Sequence, residues 1–228
     1  MTFSKSKLAI LLLSLTLALP SLAASLEETQ RLANQGYVDA QNNLGLMYYD
    51  GEGVRQDYAK AAEWYQKAAN QGDAGAQYNL GLMYHEGKGV RQDYAKAVKW
   101  YQKAANQGDA SAQYNLGLMY HKGEGVRQDY TKAAEWYQKA ASQGDASAQN
   151  NLGWMYKRGE GVRQDYAKAA EWYQKAANQG VGQAQFNLGV MYYNGQGVHR
   201  NIAVAKEWFG KSCDNGDQNG CDNYRKLN

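Results

Sequence analysis

The sequence predicts an all-α solenoid, a stack of helical hairpins, and three observations predict it. The stretch Gly51-Glu52-Gly53-Val54-Arg55-Gln56-Asp57-Tyr58 returns as Gly87-Lys88-Gly89-Val90-Arg91-Gln92-Asp93-Tyr94, then from Gly123 and Gly159. It returns once more in degraded form as Gly195-Gln196-Gly197-Val198-His199-Arg200-Asn201, always 36 residues on. A fixed period of that size marks stacked units that bury their apolar faces against one another, not one closed core. Between the glycine loops, apolar residues fall at helical spacing. The aromatic residues, 19 Tyr and 6 Trp against 3 Phe, are rings with polar tips, suited to thin layers buried at one end and wet at the other.

Taken in order, residues 1–23 read as a cleaved secretory signal. Lys5 and Lys7 give the charged start, Leu8 to Leu19 the apolar run, and Pro20-Ser21-Leu22-Ala23 a small-residue exit with cleavage expected after Ala23. The run is shorter than the roughly 20 residues a spanning helix needs, so no membrane insertion is expected after cleavage. No Cys lies near the junction to carry a lipid. Without Lys5 and Lys7 the chain holds 23 Lys and Arg against 22 Asp and Glu, a net charge of +1. That balance argues against nucleic acid as a partner, which calls for a strong basic excess.

Residues 24–228 form the expected solenoid. Residues 24–36 are an opening half-unit, since Leu32-Ala33-Asn34-Gln35-Gly36 matches Ala68-Ala69-Asn70-Gln71-Gly72, and Ser25 with Glu28 fits a capping box for its helix. Five units follow at 37–72, 73–108, 109–144, 145–180 and 181–216, then a closing half-unit at 217–228. In the second unit Asp73 can cap a helix through Ala76, Leu80, Met83 and Tyr84. Gly87 and Gly89 then break it. Asp93 caps the next helix, in which Tyr94, Ala97, Val98, Tyr101, Ala104 and Ala105 make one broad apolar face with Trp100 on its flank. Gly108 stops it.

The run Ala76 to Tyr84 (Ala-Gln-Tyr-Asn-Leu-Gly-Leu-Met-Tyr), followed by Gly-x-Gly-Val, Asp-Tyr-x-Lys-Ala and Trp-Tyr-Gln-Lys-Ala-Ala-Asn-Gln-Gly, resembles the Sel-one-like repeat (SLR), a relative of the tetratricopeptide repeat. The resemblance covers residues 25 to 226. It implies a right-handed α/α superhelical solenoid of two-helix repeats whose concave face binds proteins or extended peptides. Tyr37 and Val181 depart from the pattern by replacing the capping Asp, weakening those helix starts by about 1 kcal/mol.

Cys213 lies in the last long helix and Cys221 in the closing half-unit. In an exported chain two cysteines read as a disulfide, here a staple on an end unit that lacks one neighbour. Two free thiols are the alternative. The spacing excludes a CxxC redox pair, and no further Cys is present for zinc.

Because the copies are otherwise near-identical, the places where they differ carry information. In the first helix of each unit differences concentrate at the places of Gly75, Tyr78, Leu82, His85 and Glu86, which lie within about 100° of arc on a helix. Four lanes follow across the units. The first is Asn42, Tyr78, Tyr114, Asn150 and Phe186; the second Leu46, Leu82, Leu118, Trp154 and Val190. The third is Tyr49, His85, His121, Lys157 and Tyr193, and the fourth Asp50, Glu86, Lys122, Arg158 and Asn194. Apolar lanes beside polar ones, acid early and base late, predict a polarised peptide groove. Helices spaced 8 to 10 Å apart give it a length of about 40 Å, enough for roughly 12 extended residues. The bland alternative is that these sites vary merely because they are exposed.

Chemistry finds little support. The Gly-x-Gly loops follow a helix and lack a Gly-Lys-Ser/Thr ending, so they read as turns, not phosphate cradles. His85 and His121 sit one layer apart, about 10 Å, too far for easy shared ligation, and read as solvent-facing groove residues. The repeated Gln41, Gln77, Gln113, Gln149 and Gln185, and Asn43, Asn79, Asn115, Asn151 and Asn187, are expected to satisfy backbone groups between layers. Glu63, Glu135 and Glu171 lie on a polar outer face, without a partner carboxylate for acid–base work.

Cysteine-rich bacterial SLR relatives have carried a β-lactamase-like label and share the eight-residue cysteine spacing. The only Ser-x-x-Lys, Ser4 to Lys7, lies in the expected signal, and Ser-Asp-Asn and Lys-Thr-Gly are absent. The sequence therefore predicts an exported binding scaffold, secreted or periplasmic and monomeric, with no cofactor, metal or catalytic residue. A β-lactamase-like or other cell-wall hydrolase is the competing expectation.

Overall fold

The computed structural model describes residues 22–227, and these form twelve helices and no strand. In order they are α1 (Leu22–Asn34), α2 (Val38–Asp50), α3 (Tyr58–Asn70), α4 (Ala74–Glu86), α5 (Tyr94–Asn106), α6 (Ala110–Lys122), α7 (Tyr130–Ser142), α8 (Ala146–Arg158), α9 (Tyr166–Asn178), α10 (Gly182–Asn194), α11 (Ile202–Asp214) and α12 (Gln218–Lys226). Each packs on the next, which makes an all-α solenoid of two-helix repeats. Most of the expected signal, residues 1–21, lies outside the described residues.

Local chemistry sets the helix ends. Asp73 accepts from the Ala76 amide at 2.6 Å and Asp93 from the Lys96 amide at 2.9 Å, each satisfying an otherwise orphaned donor. Tyr37 and Val181 make no such bond, as their side chains dictate. One expectation fails at α1. The helix starts at Leu22, so Ser25 stands inside it and cannot cap it. Glu28 instead pairs with Arg31 one turn on. The helical propensity of Leu22 and Ala23 continues the chain past the capping signal.

Two glycines show why the copies resist change. A Cβ on Gly81 would come within 2.7 Å of the Tyr101 ring, so the first helix carries a socket for the tyrosine of the second. Gly89 has φ +67°, and a Cβ there would collide with the backbone of Tyr58 and Ala59, at the start of the preceding unit's second helix. The Gly-x-Gly loop is thus a point of backbone approach between units as well as a turn. Around these contacts each layer repeats one core, such as Ala97, Tyr101 and Ala104 of α5 against Ala112, Leu116 and Met119 of α6.

The buried glutamines stitch the layers. Gln77 donates to the Ala69 carbonyl at 3.1 Å, and its own oxygen accepts from Gln107 at 2.8 Å while Gln107 also donates to the Gly72 carbonyl. The pattern continues unit by unit and ends with Asn215 donating to Gln185 at 3.0 Å. These amides do satisfy backbone between layers. Among the asparagines, Asn115 does not: it bonds the Ser111 carbonyl within its own helix and interacts with Tyr78 of the preceding unit. At the far end Cys213 and Cys221 form a disulfide that ties α11 to α12.

Candidate functional site

The first helices α2, α4, α6, α8 and α10 carry the four lanes, and depth differs from lane to lane. Asp50, Glu86, Lys122, Arg158 and Asn194 form an exposed rim. Asn42, Tyr78, Tyr114, Asn150 and Phe186 are half-buried and roof the seam between successive first helices. In that roof Tyr78 lies against Tyr101 and Tyr114 against Tyr137, ring centroids 5.9 Å apart in each case, and Phe186 against Phe209 at 5.8 Å. Burial raises the phenol pKa of both Tyr78 and Tyr114. These two are therefore part wall and part packing. Leu46 and Tyr193, at 46% and 43% exposure, mark the open ends of the face.

The expected end-to-end polarity is largely cancelled in the three middle units, because the middle residue of their Gly-x-Gly loops carries the compensating charge. Lys88 meets Glu86 at 2.7 Å, Glu124 meets Lys122 at 3.9 Å, and Glu160 meets Arg158 at 2.7 Å. The same residue reaches back one unit: Lys88 donates to the Tyr49 hydroxyl at 3.2 Å, and Glu124 lies 3.5 Å from Nε2 of His85. From Glu86 to Arg158 the fourth lane is a row of ion pairs, not a field gradient. Only Asp50, beside Glu52, keeps an acid without a basic loop residue.

His85 and His121 are half-buried, not simply solvent-facing. His121 packs edge-on to Trp154 at 5.5 Å and to Tyr130 at 5.3 Å, and burial lowers its pKa. Burial also lowers that of Lys157, with the Arg158 charge adding to it. Trp154 has the Arg158 guanidinium over its ring at 5.1 Å.

The lanes open into a cleft of about 530 Å³ across α6, α8 and α10. Leu118, His121, Lys122, Asn150 and Trp154, all expected from the sequence, share it with Asn151, Gln183 and Asn187, which were not. A second cavity of similar size, against Tyr84, Trp100 and Lys103 on the second-helix side, lies away from the lanes. No group of three or more His, Cys, Asp or Glu among the described residues could hold a metal.

A family model described as the Sel1 repeat matches residues 38–73, 74–109, 110–145, 146–181 and 182–217. The chain belongs to the Sel1 repeat family. The matched Sel1 units start one residue later than the units set by the capping positions. Among solved structures, the chain is similar to c5321, a protective antigen of uropathogenic Escherichia coli with an SLR fold, at 42% identity and TM-score 0.84 over 90% of this chain. It spans about half of that protein, 49%. It is also similar to a Sel1 repeat protein of Oxalobacter formigenes, at 33% identity and TM-score 0.78, covering 90% of this chain and 86% of the other. A third likeness, at 27% identity and TM-score 0.53, is to a Klebsiella pneumoniae Sel1 repeat protein, covering 89% and 98%. No curated protein matches the chain.

Within the Sel1 repeats, the missed residues had different signals. Gln183 falls at the varying place of Gly75, Ser111 and Ser147, so it was findable as a fifth lane. Asn151 and Asn187 are the same in every unit, and variation could not reveal them.

Proposed function

We propose that this Sel1 repeat chain is an exported binding scaffold whose first-helix face holds an extended segment of a partner protein, with no catalytic step of its own. The observation that carries the reading is the cleft at Trp154, where the varying Leu118, His121, Asn150 and Gln183 converge on an open space beside the shared Asn151 and Asn187. Aromatic and aliphatic walls with a few convergent amides are what a recognition groove presents. Sel1 repeats are typical of protein–protein interaction.

Export is supported by the charged start and short apolar run before Ala23 and by the Cys213–Cys221 disulfide, a bond that persists in oxidising compartments. No helix among the described residues is long and apolar enough to cross a membrane. The Escherichia coli relative's description as a protective antigen agrees with a location outside the cytoplasm, in the envelope or against a host.

The experiment selects displayed peptides of about 12 residues, the length five helices can seat, on the native protein. Their affinity is then compared with the variant Trp154→Leu combined with Lys157→Ala. A tenfold or greater loss, with helicity kept, is expected; selected peptides that bind this variant and Leu118→Asp as tightly as the native protein would remove the groove from consideration. N-terminal sequencing of the secreted or periplasmic protein should begin at Ala24.

A further inference from the structure

Units two and three show how this fold holds a phenol. The rings of Tyr78 and Tyr114 lie in the seams between successive first helices, each over a second-helix tyrosine. Their hydroxyls interact with the next unit: Tyr78 with Asn115, and Tyr114 with Asn151 and Ser147. In the fourth unit the corresponding residue is Asn150. Its side chain is shorter than the ring it replaces, and its Oδ1 is buried without a hydrogen-bond partner. The counterparts of Asn151 and Ser147 one unit on are Asn187 and Gln183, and these two, with Asn150 and Trp154, line the open cleft. The position therefore keeps its polar end and lacks the ring that stands there in units two, three and five; Asn42 of the first unit is the same residue with its Oδ1 also unpaired, and the cleft lies at Asn150.

Resting on the groove reading above, we infer that the seam between α8 and α10 is a subsite for a tyrosine side chain of the bound partner, which takes the place that Tyr78 and Tyr114 take in their own units. The ring enters the cleft beside Trp154, between Asn150 and Asn187. The hydroxyl reaches Asn187 and Gln183. The unpaired Asn150 oxygen accepts a backbone N–H from the partner, which removes a buried acceptor's penalty. Phenylalanine would fill the slot and leave the polar end unanswered, and an aliphatic side chain would do neither.

The test titrates N-acetyl-tyrosinamide into isotope-labelled protein, purified as the cell processes it, and follows the side-chain amide signals of Asn150 and Asn187. A fragment of this size should bind with a dissociation constant of order 1 mM. Both amides should shift, and N-acetyl-phenylalaninamide should bind roughly two- to tenfold more weakly for the lost hydroxyl bond. N-acetyl-leucinamide should shift neither. Asn150→Tyr, which installs the ring of units two and three, should abolish the Asn187 shift. Asn187→Leu leaves the slot open and should make the tyrosine and phenylalanine probes equal. The inference is overturned by no shift up to ~10 mM probe, by a leucine probe that matches the tyrosine one, or by Asn150→Tyr binding as the native protein does. Should Asn150→Tyr fail to fold, Asn187→Leu decides alone. Displayed peptides that still need Trp154 while the tyrosine probe shifts nothing would sink this subsite and leave the groove standing.

Discussion

The glutamine ladder makes the sharpest claim about what holds the units in register, and Gln113→Ala tests it. Gln113 is 5% exposed. It donates to the Ala105 carbonyl at 3.1 Å and accepts from Gln143 at 2.8 Å. Both bonds vanish in the variant. The Ala105 carbonyl keeps the Gly108 amide at 3.1 Å, and Gln143 keeps the Gly108 carbonyl at 2.9 Å, so no group is wholly orphaned. Two net hydrogen bonds at about 1 kcal/mol each, with some lost packing, give a destabilisation of about 2 to 3 kcal/mol. Because each unit touches only its neighbours, the loss should fall on the junction of α5, α6 and α7 and fade two units away. Hydrogen exchange reads this directly: amides of α5 to α7 should lose protection while α10 and α11 keep theirs. A double-mutant cycle with Gln143→Ala should return a coupling of about 1 kcal/mol. A cost below about 0.5 kcal/mol, or loss of protection spread evenly over all units, would show that apolar packing alone sets the register.

Other outcomes follow from single features. Replacing Cys213 and Cys221 together by Ala should cost about 2.5 kcal/mol for so short a loop, with exchange rising in α12 and the end of α11; unaltered α12 protection would make the staple idle. Tyr37→Asp should give α2 the cap that Asp73 gives α4 and add about 1 kcal/mol, read as a melting point higher by about 2 to 4 °C. His121 should titrate below the ordinary histidine value of about 6.5 by proton NMR. Since the folded pKa is the lower one, its contribution to stability is complete above the unfolded pKa and is lost as pH falls through the folded one; a midpoint at or above the ordinary value would contradict the packing against Trp154.

Much of the fold was legible because the repeat states it five times. The caps Asp73 and Asp93, the stopping glycines and the buried face of α5 are each local chemistry. The seams were not legible. Whether Tyr78 points to solvent or into the join with α6 depends on how two helices meet, and its side chain alone serves either role. Charge misled for a related reason: Glu86 and Lys122 differ in sign along a lane, but their partners Lys88 and Glu124 sit in loops that the reading by lanes left out. The start of α1 went wrong because Ser25 and Glu28 carry a capping signal that the chain before them overrides.

Exposure by itself does not set which residues differ between the copies. If exposure by itself let residues vary, every exposed surface of the array would differ between copies. It does not. Lys67, Lys103, Lys139 and Lys175 are all exposed and all the same, as are Arg55, Arg91, Arg127 and Arg163. Nothing packed demands the arginines, so duplication accounts for their sameness. Gly81 and its counterparts need no such account, since an aromatic ring 2.6 to 2.8 Å from each would-be Cβ forbids change. The first-helix lanes differ both where they are exposed, as at Asp50, Glu86, Lys122, Arg158 and Asn194, and where they are half-buried, as at Leu118, Trp154 and Val190. Exposure accounts for the first set and not for the second, which is why the half-buried residues at the α8 cleft are the ones on which the groove proposal rests.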